Sequence, residues 1–235
     1  MEEKIGIIGA MDIELSLLKS SLESAREKKC GSFNFIEGIL NGKKVVLVKS
    51  GVGKVNAALC TLKLILQMGA THIINTGIAG AMEKGLSVLD FVISTDALYH
   101  DMDASGFGYK LTQIPQMKIS DFPADKKMIE TAKKAFSCLP ESSGHKLVAG
   151  RIASGDQFIS SREVKEKIAK NCSPACVEME GAAIAHTAYL ENIPFLIIRC
   201  MSDMADENGE STYTFNEQTA AELSAGFVKK VVSLL

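Results

Sequence analysis

Apolar runs of strand length recur along this chain, and most are followed by a segment whose apolar positions fall at helical spacing. The first is KIGIIGA (4–10), succeeded by DIELSLLKSSLES (12–24), where Ile13, Leu17 and Leu18 share one helical face. FNFIEGIL and KKVVLVKSG flank Asn41-Gly42, the dipeptide suited to a tight hairpin because both central residues take positive φ. A helix over 54–69 should stop at Gly69, and strands are predicted over 72–77 and 90–100. An irregular stretch, roughly 101–122, precedes a helix over 125–139 and a strand over 145–155. A short helix capped by Ser160 or Ser161 comes next. The strand ACVEME, the helix GAAIAHTAYLEN, the strand PFLIIRCMSD (194–203) and a terminal amphipathic helix from FNEQ onward complete the pattern. Strands alternating with helices imply an α/β fold on a covered, largely parallel sheet, and the hairpin makes that sheet mixed.

Nothing in 235 residues looks like a linker, so one domain spanning 1–235 is expected. A net charge of −2 with both signs dispersed offers no footprint for nucleic acid or an anionic membrane. The opening MEEKIGIIGAM lacks the cationic start and long apolar stretch of an export signal, and no apolar run is long enough for a membrane span. The six cysteines form no C-x-x-C pair, and Cys172 and Cys176 lack partners for zinc; a reduced, cytoplasmic protein is expected. No metal or cofactor is implied.

Two phosphate-binding motifs fail on inspection. KSGVGKV has Val48 where a P-loop needs glycine and Val55 where it needs serine or threonine. GIIGAM lacks the spacing of a dinucleotide turn. The four histidines are scattered, and His186 reads as a satisfied, partly buried side chain.

Three carboxylates stand where apolar strands stop: Glu14, Glu180 and Asp203. Glu14 also suits a solvated helix N-terminus, and Asp203 also suits a cap. Glu180 is harder to place on a surface, because both its neighbours are apolar. Period 2 puts Glu178 and Glu180 on one strand face and Met179 on the other. Strand C-terminal ends are where open α/β sheets bind ligands. A carboxylate there can accept hydrogen bonds from two vicinal hydroxyls, and a buried acid with a raised pKa can protonate a leaving group. An acid, a water-activating base and a diol clamp suffice to cleave an N-glycosidic bond.

The ordered blocks IGIIGAMDIE, KSGVGKVNAA, INTGIAG, YHDMDASGFGY, SGDQFI, VEMEGAAIAH and IRCMSDMAD resemble the 5′-methylthioadenosine/S-adenosylhomocysteine nucleosidase family of the nucleoside phosphorylase/hydrolase superfamily, nearly end to end. The resemblance implies a three-layer sandwich with a central mixed β-sheet flanked by helices. It implies that Glu14 activates water, Asp203 protonates adenine N7 with help from Ser202, and Glu180 binds the ribose diol over Met179. It further implies that Phe158 and Ile159 hold adenine, with Met11, Val52 and Phe215 as pocket walls. Family members are homodimers, which implies that Phe107 and Pro115, within residues 104–115, complete the partner's pocket. Ile78 departs from the pattern, standing where some relatives carry a serine that holds the water, so Arg199 would share that task.

The nucleophile separates a hydrolase from a phosphorylase. Phosphate calls for arginine forks, and the chain has only Arg26, Arg151, Arg162 and Arg199, none beside the acidic GAMDIE turn. Hydrolysis is therefore expected, with Arg199 leaving phosphorolysis open. A non-catalytic nucleoside sensor would not need both Glu14 and Asp203. The partners expected are adenine nucleosides: methylthioadenosine, S-adenosylhomocysteine, 5′-deoxyadenosine or aminodeoxyfutalosine, the first two placing the chain in methionine salvage.

Overall fold

A computed structural model describes residues 3–206 and 208–235; Met1 and Glu2, which open the stretch read for an export signal, and Glu207 lie outside the described residues. Strand β1 (Ile5–Gly9) is buried throughout. It lies parallel to β4 (Lys43–Lys49) and to β5 (His72–Ala81). On the far side of β4 come β3 (Phe33–Leu40) and β2 (Glu23–Cys30), both antiparallel to their neighbours. The β3–β4 hairpin turns at Asn41 and Gly42 with φ of 51° and 78°, the left-handed pair that its dipeptide suits.

β5 also pairs with β9 (Cys176–Glu178) and β10 (Phe195–Asp203). β6 (Phe91–Tyr99) and β8 (Leu147–Ser154) connect β10 back to β9, so this half of the sheet curls onto itself. β7 (Asp121–Pro123) adds a short antiparallel edge to β6. The sheet is therefore mixed. Helices α1 (Asp12–Ser20), α3 (Lys126–Ser137) and α6 (Gly209–Val232) pack together over one side. The helices α2 (Lys54–Leu66) and α5 (Gly181–Leu190) pack together elsewhere on the sheet. Helix α4 (Arg162–Cys172) docks Ile168 and Cys172 into a satellite apolar cluster with Ala153, Ile159, Val177 and Ala205. Helix α6 is anchored by Phe227, whose ring meets Phe91 and Phe136 edge-on at 5.5 Å each. Contacts of that kind add roughly 0.5–1.5 kcal/mol apiece beyond burial.

The structure corrects several boundaries. The helix expected over 12–24 ends at Ser20, and Glu23–Cys30 is an edge strand. Its charged, exposed residues carry no alternation, because pairing to β3 alone holds it. The strand expected over 72–77 continues to Ala81. The stretch 101–122 is not wholly irregular, holding a 3-10 turn at Ser105–Phe107 and the start of β7. The terminal helix begins at Gly209, ahead of FNEQ. Helix α4 takes Ser161 as N-cap, although the serine side chain makes no capping hydrogen bond. ACVEME is a strand only as far as Glu178; Glu180, at φ −131° and ψ −37°, has left the extended conformation and caps α5. Glu178 and Glu180 therefore do not share a strand face.

Candidate active site

The ends of β1, β5, β9 and β10 converge on a cavity of about 450 Å³. Glu14, Glu178, Glu180 and Asp203 all line it. Glu14 reaches it from the first turn of α1. Its Oε2 accepts the N–H groups of Ala10 at 2.6 Å and Met11 at 3.0 Å, and its Oε1 accepts that of Ile78 at 3.3 Å. Burial raises its pKa, opposed by the Arg199 charge and by those three backbone donors. Strand β5 gives way to both outer acids. A Cβ on Gly77 would sit 2.5 Å from Glu14 Oε1, and one on Gly80 would sit 2.9 Å from Asp203 Oδ1.

Glu180 projects from the N-cap of α5, where its Oε1 accepts the Gly53 N–H at 2.8 Å. Burial first, and the Glu178 charge second, push its pKa up to about 8. Asp203 ends β10, with Ser202 Oγ donating to Oδ2 and the Ala205 N–H to Oδ1, both at 2.8 Å. Burial raises its pKa as well, against those two hydrogen bonds.

Glu178 also borders the cavity, but its carboxylate oxygens are bonded within the protein. Its Oε1 accepts Ser154 Oγ, and its Oε2 accepts the Gly181 N–H at 2.7 Å and the Glu180 N–H at 3.1 Å. Arg199 Nη2 also reaches Oε2, at 2.5 Å, and bonds Asn75 Oδ1 at the same distance. Arg199 is 1% exposed and does not itself line the cavity.

Met11, Val52, Ile78, Phe158, Met179 and Ser202 stand on the cavity wall. Ile159 is buried in a recess that shares Phe158, Met179 and Asp203 with the main cavity. Phe158 meets the Tyr213 ring edge-on at 5.7 Å. Three expected residues lie elsewhere in this chain. Phe215 is 86% exposed on a neighbouring depression that shares Glu210 and Thr214 with the cavity, Phe107 is 88% exposed in its 3-10 turn, and Pro115 sits apart from the cavity. Sequence reasoning missed Ala10, Ala79, Gly80, Val177, Glu210, Tyr213 and Thr214, which complete the wall. Glu210, Tyr213 and Thr214 lie ahead of FNEQ, where the sequence pattern began the helix, so their shared face showed only once α6 was seen to start at Gly209. His186 is half-buried as expected, stacked on Phe122 at 4.5 Å and bonded to Tyr99 Oη at 3.2 Å.

A curled mixed sheet gathers these acids at its strand ends with apolar side chains around them, an arrangement suited to cleaving a glycosidic bond. The Phosphorylase superfamily model matches residues 4–233, and the chain belongs to that superfamily. Within it, the chain is a member of the 5′-methylthioadenosine/S-adenosylhomocysteine nucleosidases, a family of N-glycosyl hydrolases. A Staphylococcus haemolyticus nucleosidase of that name is 41% identical over 234 residues, covering 98% of this chain and 100% of the relative. The crystal structure of the Neisseria meningitidis nucleosidase with methylthio-immucillin-A superposes at TM-score 0.94 and 41% identity, covering 99% of this chain and 100% of that one. A futalosine hydrolase mutant from Helicobacter pylori superposes at TM-score 0.93 with 31% identity, covering 99% and 100%.

Proposed function

We propose that this chain hydrolyses the C1′–N9 bond of 5′-methylthioadenosine and S-adenosylhomocysteine, and of 5′-deoxyadenosine, releasing adenine. The observation that carries the mechanism is that Glu14, Glu180 and Asp203 face one cavity, each with its pKa raised by burial. Asp203 protonates adenine N7, oriented by Ser202, so that the base departs neutral. Glu14 takes a proton from the attacking water once the sugar carries positive charge. Glu180 accepts the 2′- and 3′-hydroxyls, and Met179 packs on the sugar. Phe158 stacks on adenine, the Ile159 backbone binds its edge, and Met11 and Val52 bound the ribose and alkylthio end, with Phe215 outside the cavity on the depression that shares Glu210 and Thr214 with it. Ile78 offers the base a backbone N–H but no side-chain donor, so the water rests on Glu14, with the Arg199 charge behind it.

Water is favoured over phosphate because none of the described residues lining the cavity is arginine or lysine. Arg199 is also already committed to Glu178 and Asn75. The test is adenine release from methylthioadenosine in phosphate-free buffer. Glu14→Gln and Asp203→Asn should each abolish release and spare nucleoside binding. Strict dependence on added phosphate, with a sugar phosphate as product, would overturn the reading.

The chain acts as one domain, supported by an apolar core that runs from Ile5 to Val232. It works as a homodimer in which residues 104–115 bring Phe107 and Pro115 to the partner's pocket. The apolar face of α2, with Val55, Leu59 and Leu66 exposed, supports that assembly. Its place is the recycling of S-adenosylmethionine by-products in methionine salvage. Among the described residues, no helix is long and apolar enough to cross a membrane.

A further inference from the structure

The turn that carries Asp203 is held from outside the cavity. After β10 the chain reverses through Met204 to Ala205, which is fully buried at φ 49°. A side chain in this left-handed region costs of order 1 kcal/mol and persists only where its surroundings impose it. Three contacts impose it here. Ala205 returns its N–H to Asp203 Oδ1 at 2.8 Å. Its methyl group packs with Ile168 and Cys172 of α4. Lys165, on the same helix, donates from Nζ to the Met204 carbonyl at 2.5 Å. Lys165 does not line the cavity and so does not touch what occupies it.

We propose that Lys165 is a positioning residue for the leaving-group end of the site: its ammonium clamps the Met204 carbonyl and so fixes the Asp203–Ala205 turn that presents the Asp203 carboxyl to the base. This rests on the reading of Asp203 as the proton donor. The clamp is also electrostatic. From α4 the Lys165 charge favours the ionised form of Asp203, while Asp206, in the same turn, opposes it. Burial is the largest influence and raises the pKa, against the Ser202 hydroxyl and the Ala205 N–H. Tyr213 faces Asp203 from α6, and its own phenol is pushed up, so it carries no charge near neutrality. Removing the ammonium therefore moves Asp203 further upward.

The experiment compares Lys165→Met and Lys165→Arg over a full pH range with two substrates. One is methylthioadenosine; the other is a 4-nitrophenyl 5-methylthioriboside, whose phenolate leaves without protonation. Lys165→Met should lower kcat for methylthioadenosine about tenfold, the scale of one charge-assisted hydrogen bond. KM should hold, and the alkaline limb of the profile should move to higher pH. Turnover of the aryl riboside should stay within about twofold, since the acid is idle there. Lys165→Arg should restore both kcat and the limb. A thermal melt within a few degrees of the unaltered protein's confirms that the variants are folded. The proposal is overturned if Lys165→Met leaves kcat and the limb unmoved, or slows both substrates equally with the limb in place. Asp203→Asn is run alongside. Full turnover of methylthioadenosine by that variant would sink the Asp203 reading itself, whereas an inactive Asp203→Asn alongside either of those Lys165→Met outcomes sinks only the clamp.

Discussion

Glu178 and Glu180 stand two residues apart, are almost equally buried, and are put to opposite uses. Glu178 accepts hydrogen bonds from Ser154, Arg199 and the N–H groups of Glu180 and Gly181. Glu180 accepts one from Gly53, and its remaining oxygen capacity faces the cavity. A buried carboxylate is costly unless its lone pairs are met. Where the protein meets them, the residue is part of the frame. Where it leaves them facing a cavity, a ligand is the partner that completes them. The same backbone N–H of Glu180 that bonds Glu178 ties the two together, so the frame sets the origin from which the diol clamp projects.

The largest effect should follow from breaking the frame. Glu178→Ala leaves Arg199 buried without its counter-charge, and the Arg199 Nε already has no partner among the described residues. Removing one member of a buried pair costs about 3–5 kcal/mol. Urea unfolding should show that loss, and the melting temperature should fall by roughly 6–20 °C at this chain length. A loss under about 1 kcal/mol would mean that Glu178 is not structural. Glu180→Gln should separate cleanly from it. There kcat/KM should drop by about a hundredfold, the worth of two hydrogen bonds from the ribose hydroxyls, with stability unchanged or raised. A 2′-deoxy substrate sharpens the test. It should lose activity with the unaltered protein and little more with Glu180→Gln. An additive loss would break the assignment of Glu180 to the diol.

The pH dependence of stability offers a smaller handle on the same contrast. Burial raises Glu180 from 4.5 to about 8. The protonated form is thus the one the fold favours. Its contribution is full below pH 4.5 and is lost as the pH rises through about 8. Glu14 and Asp203 shift the same way, so the ligand-free protein should melt lower at pH 8 than at pH 5. Glu180→Gln should flatten the slope; an unchanged slope would show that Glu180 does not titrate in this window.

The contrast between the two glutamates was only half legible in the sequence. The apolar setting of Glu180 marked it as unusual, and the Asn41-Gly42 hairpin and most strands read directly from their patterns. The relation of Glu180 to Glu178 did not, because period 2 applies only while the backbone stays extended, and it leaves that conformation after Glu178. The partner of Glu178 was hidden for a different reason. Arg199 lies on β10, and it meets Glu178 only because β9 and β10 both pair with β5. That is a property of strand order, which no local pattern encodes. β2 was missed because an edge strand held by one neighbour needs no apolar face. Glu14, Glu180 and Asp203 drew notice because they stand where apolar strands stop, and their roles came from the resemblance. Phe107, Pro115 and Phe215 came from family resemblance alone, and none of them lines the cavity of the single chain.

The smallest effect probes how tightly the frame is built. Ser154 Oγ sits between Glu178 Oε1, to which it donates, and the Ala182 N–H, which it accepts at 2.7 Å. It thus joins the end of β8 to the carboxylate and to the first turn of α5. Ser154→Ala removes both bonds and buries an unpaired N–H, at a cost of about 1–3 kcal/mol. Arg199 and two backbone donors still hold the other oxygen of Glu178, so the carboxylate should stay in place. Stability should therefore fall while kcat/KM stays within a few-fold. Cysteine, nearly isosteric but a weaker donor, should fall between serine and alanine in a chemical-denaturation series. If Ser154→Ala instead cost as much activity as Glu180→Gln at unchanged stability, Glu178 would be an active part of the ligand site, and the division between frame and clamp would fail.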